Sequence, residues 1–249
     1  MCLIAFDWRP GSGRPLVLAA NRDEFHTRPT RALHWWRWPE GPLAGRDEQA
    51  GGTWLAVRRD GRFAALTNVR DPAAARGERS RGALPVAALE ASSLEALAAD
   101  VYRRREAYGP FNLLVGDREV LWQLGTHTPP AEVPPGLHAL SNHSLDTPWP
   151  KSIRAVQRLE SALAAPEPEM ADLLGLLDDR ESAPDEELPD TGVGRELERM
   201  LSAPFIVDAR YGTRSSSALV LDGAVRLSER VFDATGRRIG ERHFQWIRQ

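Results

Sequence analysis

Two short apolar runs at the start of the chain, separated by a glycine-rich turn, constrain the fold most strongly. Residues 2–6 and 15–20 have the composition of strands, and Gly11-Ser12-Gly13 lies between them. Strands joined by so short a turn pair antiparallel as a hairpin. A hairpin centred on this turn pairs positions whose numbers sum to about 23 or 24, which sets Cys2 opposite Asn21 or Arg22.

The same hairpin pattern recurs along the chain. Residues 53–57 and 62–67 flank Asp60-Gly61, a dipeptide typical of two-residue hairpin loops with positive φ angles. Two further hairpins turn around Asp117 and Asp222-Gly223. Their predicted strands, with a closing strand, are residues 111–115, 120–124, 218–221, 225–230 and 243–247.

Helices are predicted between the hairpins. Residues 84–106 have helical periodicity. A second helix should begin at Pro148, because Asp146 and Thr147 are good caps and proline is favoured in a first turn. Its inward side chains would be Ile153, Val156, Leu159 and Leu163. Residues 168–177 and 193–201 are further predicted helices, and the acidic stretch 178–190 between them is predicted to be an exposed loop. Antiparallel hairpins with helices between them predict an α+β fold of two packed sheets covered by helices.

Composition narrows the class of protein. A chain of 249 residues with 42% hydrophobic content can bury one full core, so a single domain is expected over residues 1–249. The formal net charge of -3 argues against nucleic acid as a partner, and no apolar run is long enough to span a membrane. The single cysteine excludes an internal disulfide, and no histidine pair has metal-ligand spacing. We expect a cytoplasmic protein without a bound metal.

The predicted hairpin brings reactive groups together. It places Cys2 beside Asn21-Arg22-Asp23-Glu24, where strand packing has no need for so much charge. Removal of Met1 would leave Cys2 with a free α-amine, whose pKa of roughly 8 lets it accept the thiol proton. Arg22 would lower the pKa of the thiol or orient a substrate, and Asp23 would hold the ammonium group.

An acyl-transfer site also needs donors for the developing oxyanion. Asn68 and Asn142 each end a predicted strand, and their side-chain amides suit that task. Each of these residues also has an ordinary interpretation. Asparagine after a strand is common in turns, a cysteine at position 2 arises by chance, and Arg22 with Asp23 would make a surface ion pair. Their convergence at one strand end favours a reactive site.

Several motifs resemble those of a known family. Leu18-Ala19-Ala20-Asn21-Arg22-Asp23-Glu24-Phe25, Ala50-Gly51-Gly52-Thr53-Trp54-Leu55, Asp146-Thr147-Pro148-Trp149-Pro150-Lys151 and Tyr211-Gly212-Thr213-Arg214-Ser215-Ser216 are similar to motifs of the NRDE family, also called the transport and Golgi organization family. That family is in turn distantly similar to the cysteine-type N-terminal-nucleophile amidases. The resemblance implies their four-layer αββα sandwich, with two packed antiparallel sheets.

The resemblance also implies site residues. Asp23 matches an aspartate of the amidase motif, whereas the arginine of that motif falls on Ala20, so Arg22 would be a displaced substitute. The resemblance assigns Asn142 and Asn68 to the oxyanion and Arg214 to the place of a later arginine. Asn21 and Trp54 join Arg214 as candidate substrate-binding residues.

Two functions from different classes follow. The first is hydrolysis of a linear amide or thioester by Cys2, with no cofactor required. The second is noncatalytic binding of haem or an acyl-coenzyme A in the same cleft, suggested by the family's link to haem trafficking and by Trp35, Trp36 and Trp38 beside His34. The alternative for these tryptophans is an aromatic loop packed over the sheet. A small-molecule substrate or ligand is the expected partner in either case.

Overall fold

Short alternating strands in both halves of the chain produce two antiparallel sheets. The computed structural model describes residues 3–37, 40–75, 77–165 and 168–247. Within these ranges the first sheet has six strands, in the spatial order β10-β1-β2-β11-β12-β13. Their bounds are β1 Leu3–Trp8, β2 Leu16–Phe25, β10 Gly136–Leu140, β11 Tyr211–Leu221, β12 Ala224–Phe232 and β13 Arg238–Ile247.

The second sheet follows the chain order from β3 to β9 and has seven strands in the described ranges. Their bounds are β3 Thr30–Trp35, β4 Leu43–Asp47, β5 Leu55–Val57, β6 Phe63–Asn68, β7 Phe111–Gly116, β8 Leu121–Gly125 and β9 Ala131–Glu132. The α-helices are α1 Ala83–Glu90, α2 Leu94–Arg103, α3 Pro150–Leu163, α4 Met170–Gly175 and α5 Arg195–Leu201. No helix in the part of the chain described here is long and apolar enough to cross a membrane.

Three buried clusters define four layers. The largest lies between the sheets and includes Phe6, Leu18 and Phe63. The outer face of the first sheet packs under α3 and α4, and that of the second packs under α1 and α2. Because alternate residues of each strand face opposite sides, strands such as β1 and β7, which are buried along their whole length, contribute to the inner and the outer layers alike. The α+β prediction with two packed sheets is confirmed as an αββα sandwich.

The first hairpin has the predicted register. Leu3 pairs with Asn21 and Phe6 with Leu18, so paired numbers sum to 24. Cys2, the residue before Leu3, lies outside the described residues. Strand β2 also pairs with β11, where a bulge interrupts the register between Thr213 and Ser215. The Asn21–Asp23 end of β2 therefore lies between β1 and a polar stretch of β11.

Other local predictions were wrong in detail. The helix predicted over 84–106 is two helices, since Ser93 caps α2 by accepting a hydrogen bond from the Ala96 backbone N–H at 3.2 Å. In the Asp60-Gly61 turn only Gly61 has a positive φ, at 91°. The loop is also longer than two residues, because β5 ends at Val57 and β6 begins at Phe63.

The third helix departs most from prediction. It begins at Pro150 rather than Pro148, and Ile153, predicted to face inward, is 45% exposed. Its buried face carries Lys151, Ser152, Ala155 and Leu159. The helix therefore directs two polar residues of its first turn into the protein. The stretch 178–190 is not wholly exposed either, since Asp179 is buried and pairs with arginines of α3.

Candidate active site

Asp23 is fixed by β11 at the end of β2. Its side chain is buried, and Oδ1 accepts a hydrogen bond from the Thr213 hydroxyl at 2.7 Å. The Tyr211 hydroxyl donates to the Asp23 backbone carbonyl at 3.3 Å. Burial, and next the charge of Asp23, raise the pKa of Tyr211, so the phenol remains a neutral donor. The carboxylate of Asp23 thus has a defined orientation in a buried site.

Arg22 projects from the opposite face of β2, into the space between the sheets. Its guanidinium carbon lies 4.3 Å from the ring centroid of Trp54, a cation–π contact, and Nη1 donates to the Thr30 hydroxyl at 3.2 Å. Glu24 lies 3.8 Å from Nη2. Burial lowers the pKa of Arg22, and Glu24 opposes that effect. Arg22 and Asp23 therefore act on different sides of the sheet.

The two predicted oxyanion asparagines are neighbours across the sandwich. Asn142 Nδ2 donates to the Asn68 backbone carbonyl at 2.9 Å. Asn68 ends β6 of the second sheet, and Asn142 lies two residues after β10 of the first. The Thr67 hydroxyl makes a second link by donating to the Ser141 carbonyl at 2.6 Å. Asn112 supports both segments by donating to the Thr67 hydroxyl at 3.1 Å. The ends of β6 and β10 are therefore held together.

Lys151 is a site residue that the sequence analysis missed. It is the only lysine in the chain and is 3% exposed. Its Nζ donates to Asn142 Oδ1 at 3.2 Å. Burial lowers the pKa of Lys151 to about 7, and the positive charge of Arg70 adds to the effect, whereas Asp23 and Glu198 oppose it. One sequence signal could have identified this residue. The single lysine of the chain directly follows Trp149-Pro150, in a motif that resembles one of the family.

A buried ion pair borders this lysine. Arg70 contacts the Glu198 carboxylate, and both side chains are less than a tenth exposed. Glu198 also accepts hydrogen bonds from the Thr191 backbone N–H at 2.9 Å and from its hydroxyl at 2.5 Å. The Arg70 guanidinium lies 4.9 Å from the ring centroid of Trp149. Charges of both signs are thus held away from water near Lys151.

The remaining predicted residues have distinct environments. Asn21 is fully buried, and its Nδ2 donates to the carbonyls of Leu177 and Pro204 at 3.1 and 2.8 Å. Arg214, the bulge residue of β11, donates from Nη1 to the carbonyls of Phe25 and His26 at 3.1 and 3.2 Å. Asn21 thus ties β2 to the helical layer, and Arg214 supports the chain that leaves β2.

The tryptophan cluster lies at the edge of the second sheet. The ring of Trp35 packs against Trp246 with centroids 5.2 Å apart, and Trp36 Nε1 donates to the Ala44 carbonyl at 3.3 Å. Nδ1 of His34 lies 2.8 Å from the Ala32 carbonyl oxygen. Trp38 lies outside the described residues. The described members of the cluster therefore make packing and backbone contacts.

A solved structure has a similar fold. The N-acylethanolamine-hydrolyzing acid amidase ortholog of Caenorhabditis elegans superposes with a TM-score of 0.51 at 11% sequence identity, over 88% of this chain and 92% of the other. At this identity the likeness concerns the fold alone. The chain shares the fold of the N-terminal-nucleophile hydrolases.

Sequence relatives cover nearly the whole chain. A transport and Golgi organization protein 2 homolog of Bos taurus is 36% identical, and one of Homo sapiens is 35% identical, each over 92% of both chains. The family model described as Transport and Golgi organisation 2 matches residues 1–234. The chain belongs to the Transport and Golgi organisation 2 family.

Proposed function

We propose that this protein is a cysteine hydrolase of linear amides or thioesters, with the Cys2 thiol as its nucleophile. The observation that carries the proposal is the position of β1 between β2 and β10. Leu3, the residue after Cys2 in the chain, pairs with Asn21, and Ile4 pairs with Leu140, so Asp23 and Asn142 each come two residues after a partner of the start of β1. A buried carboxylate and amide donors are the groups that an N-terminal nucleophile requires. The shared fold supports the proposal.

In the proposed reaction, the Cys2 α-amine accepts the thiol proton and the sulfur attacks the substrate carbonyl carbon. Asp23 holds the resulting ammonium group. The tetrahedral intermediate collapses by breaking the bond to nitrogen or sulfur, and the leaving group takes the proton from the ammonium. Water then attacks the acyl-cysteine thioester, gives its proton to the α-amine, and releases the carboxylic acid together with the regenerated thiol.

The two asparagines would stabilise the oxyanion. Asn142 Nδ2 donates to the Asn68 carbonyl at 2.9 Å and its Oδ1 accepts from Lys151 Nζ at 3.2 Å, so contacts at both ends of the amide set its orientation. The side-chain amide of Asn68 has no hydrogen-bond partner within the described ranges of the chain, so its N–H groups are available to a substrate oxygen. Two such donors would account for much of the catalysis expected at an acyl-transfer site.

The first substrates to test are amides. The Caenorhabditis elegans neighbour is named for the hydrolysis of N-acylethanolamines, which are linear amides. We would incubate the wild-type protein, Cys2→Ala and Cys2→Ser with matched sets of N-acyl amides and acyl thioesters. Intact-mass spectrometry would follow the acyl adduct while liquid chromatography follows the free acid.

The proposal expects loss of Met1, an acyl adduct on Cys2, and no turnover by Cys2→Ala. A wild-type chain that retains Met1 and resists labelling by iodoacetamide would contradict it. The noncatalytic alternative, binding of haem or acyl-coenzyme A, makes the opposite prediction. Cys2→Ala would then bind ligand like wild type, as seen in the haem Soret band and in tryptophan emission, and neither protein would turn over a substrate.

As part of the proposal we place the protein in the cytoplasm, where a reactive thiol stays reduced.

A further inference from the structure

Arg214 is fixed beside the end of β2 that carries Asp23. It is the unpaired bulge residue of β11, between the Thr213–Asp23 and Ser215–Arg22 pairs. Its Nη1 donates to backbone carbonyls at the end of β2 and just after it. Within the described residues, Arg214 has no carboxylate in ion-pair contact, and its Nε and Nη2 have no protein acceptor. Two nitrogens of an anchored guanidinium are therefore available to an anion.

Arg81 has a similar arrangement on the second sheet. It lies between β6 and α1, and its Nη1 donates to the Pro110 carbonyl at 2.9 Å. The same carbonyl accepts the backbone N–H of Val69, the residue after Asn68, at 3.1 Å. In the part of the chain that the structure describes, Arg81 also has no ion-pair partner and no acceptor for Nε or Nη2. The Arg81 guanidinium is thus anchored next to the segment that carries a proposed oxyanion donor.

The Glu24 carboxylate lies among these arginines. Its Oε2 is 3.8 Å from Arg22 Nη2 and 3.7 Å from Arg28 Nε, distances that are too long for hydrogen bonds. Burial lowers the pKa of Arg81 and Arg214, and the negative charge of Glu24 opposes that effect in both. Glu24 is therefore within electrostatic reach of four arginines, which we call the arginine cluster: Arg22, Arg28, Arg81 and Arg214.

Positive charge exceeds negative charge in the arginine cluster. Its second carboxylate is Asp47, which contacts Arg28. The four arginines therefore face two carboxylates, although the whole chain has a formal net charge of -3. Partly buried cations without a partner are costly. The cluster suits an anion supplied from outside, and guanidinium groups bind carboxylate or phosphate in a bidentate geometry.

The surroundings of the cluster indicate which part of a substrate would carry that anion. The side chains of Arg28 and Glu24 are 30% and 21% exposed, so this rim is reached from solvent. On the inner side, Arg22 contacts Trp54, which belongs to the apolar layer between the sheets. This polarity suits a substrate whose acyl portion contacts the apolar side and whose leaving portion carries the charge.

We propose that Arg81 and Arg214 form an anion subsite that binds a carboxylate or phosphate on the leaving portion of the substrate. This inference rests on the proposed hydrolase function and gives its substrate class, namely amides whose amine portion is anionic. Glu24 is the internal carboxylate with which the substrate anion shares these arginines.

Matched substrate pairs test the subsite directly. N-octanoylglycine is compared with N-octanoylglycinamide, in which a neutral amide replaces the carboxylate, and N-octanoyl-O-phosphoethanolamine is compared with N-octanoylethanolamine. We expect the anionic member of at least one pair to have a kcat/KM about 10-fold higher or more. The pair with the larger ratio distinguishes a carboxylate from a phosphate. Equal kcat/KM values within both pairs would overturn the proposal.

Variants assign the preference to these arginines. Arg81→Gln and Arg214→Gln should each lower the anionic-to-neutral ratio of kcat/KM by about 10-fold, whereas the corresponding lysine variants should retain most of it. Glu24→Gln should raise the ratio, because it removes the competing negative charge. Arg103→Gln, at an exposed pair with Asp100, is the control and should leave the ratio unchanged. Both substrates meet the same protein sample, so partial unfolding does not alter the ratio.

Binding to Cys2→Ala separates the two proposals. Isothermal titration calorimetry of this variant should show tighter binding of the anionic ligands, and Cys2→Ala/Arg81→Gln should lose that difference. This result in a protein that hydrolyses no amide would support the anion subsite and contradict the hydrolase function alone. Hydrolysis with a preference for anions that survives in Arg81→Gln and Arg214→Gln would contradict the anion subsite alone.

Discussion

Asn142 joins the two sheets by donating from Nδ2 to the Asn68 backbone carbonyl at 2.9 Å, across 74 residues of sequence. This half-buried hydrogen bond links the segment after β10 of the first sheet to the end of β6 in the second, and so holds the two sheets together at this rim of the sandwich. The same amide is a proposed oxyanion donor, so structure and chemistry depend on one side chain.

Replacing each asparagine should separate these two roles. Asn142→Ala leaves the Asn68 carbonyl and the Lys151 amine without their partner and should lower the free energy of unfolding by about 1–3 kcal/mol. Asn68→Ala keeps the backbone carbonyl and should change stability less. Both variants should lose roughly 100-fold or more in kcat on an amide substrate. Urea unfolding measures the change in stability, and steady-state kinetics measures the change in kcat. Equal losses of stability in the two variants would contradict this division of roles between Asn142 and Asn68.

The Arg70–Glu198 pair should be important for stability. Arg70→Met leaves a buried carboxylate without its cation, which should cost about 3–5 kcal/mol in urea unfolding. The double variant Arg70→Met/Glu198→Gln should recover part of that loss, since no charge is then left uncompensated. Arg103→Met, which removes an exposed pair with Asp100, is the control and should leave the midpoint unchanged. The two side chains would be uncoupled if the double variant lost as much free energy of unfolding as the Arg70→Met and Glu198→Gln variants do together.

Lys151 should make stability depend on pH in the alkaline range. Its pKa is lowered from 10.5 to about 7, so between these values the unfolded chain binds a proton that the folded chain has released. Stability therefore rises with pH across that window, by up to about 1.4 kcal/mol per unit. Lys151→Met removes the effect, so its stability relative to wild type should be greatest at pH 6 and decline by pH 9. Parallel pH curves for the two proteins would refute this assignment.

Glu229 should have the opposite slope at lower pH. Its carboxylate is buried between the sheets and accepts from the Leu33 backbone N–H at 2.6 Å. Burial raises its pKa from 4.5 to about 7, so the folded chain holds a proton that the unfolded chain has lost. The stabilisation is fully present below pH 4.5 and is lost as pH rises through 7. Glu229→Gln should therefore become more stable relative to wild type between pH 5 and pH 8, whereas exposed Glu132→Gln should show no such trend.

Local sequence patterns predicted the hairpins because neighbouring residues determine both the turn and the alternation of strand side chains. The Gly11-Ser12-Gly13 turn and the alternation of strand residues fix the β1–β2 register without reference to the rest of the chain. The motif resemblance then predicted the four layers. The break between α1 and α2 was missed because the apolar periodicity continues through it, while the Ser93 cap interrupts the backbone.

The burial of the Lys151 side chain could not be predicted from hydrophobic periodicity. That method assigns apolar residues to the buried face, so it placed Ile153 inside and did not assign Lys151 to that face. The actual face of α3 is set by tertiary contacts, among them the bond from Lys151 to Asn142. A polar site residue on the buried face of a helix violates the hydrophobic pattern, so a prediction based on that pattern does not find it.

The bulge in β11 resets the alternation of side chains along that strand. Thr213 and Ser216 are three positions apart, an odd spacing that would send them to opposite faces of a regular strand. With Arg214 left out of the pairing, Thr213 reaches Asp23 and Ser216 reaches Asn21 on one face of β2. A chain shortened by that one residue would lose either the hydrogen bond from Thr213 to Asp23 or the one from Ser216 to Asn21. The number of residues in this segment is therefore as important for the end of β2 as the side chains that it carries.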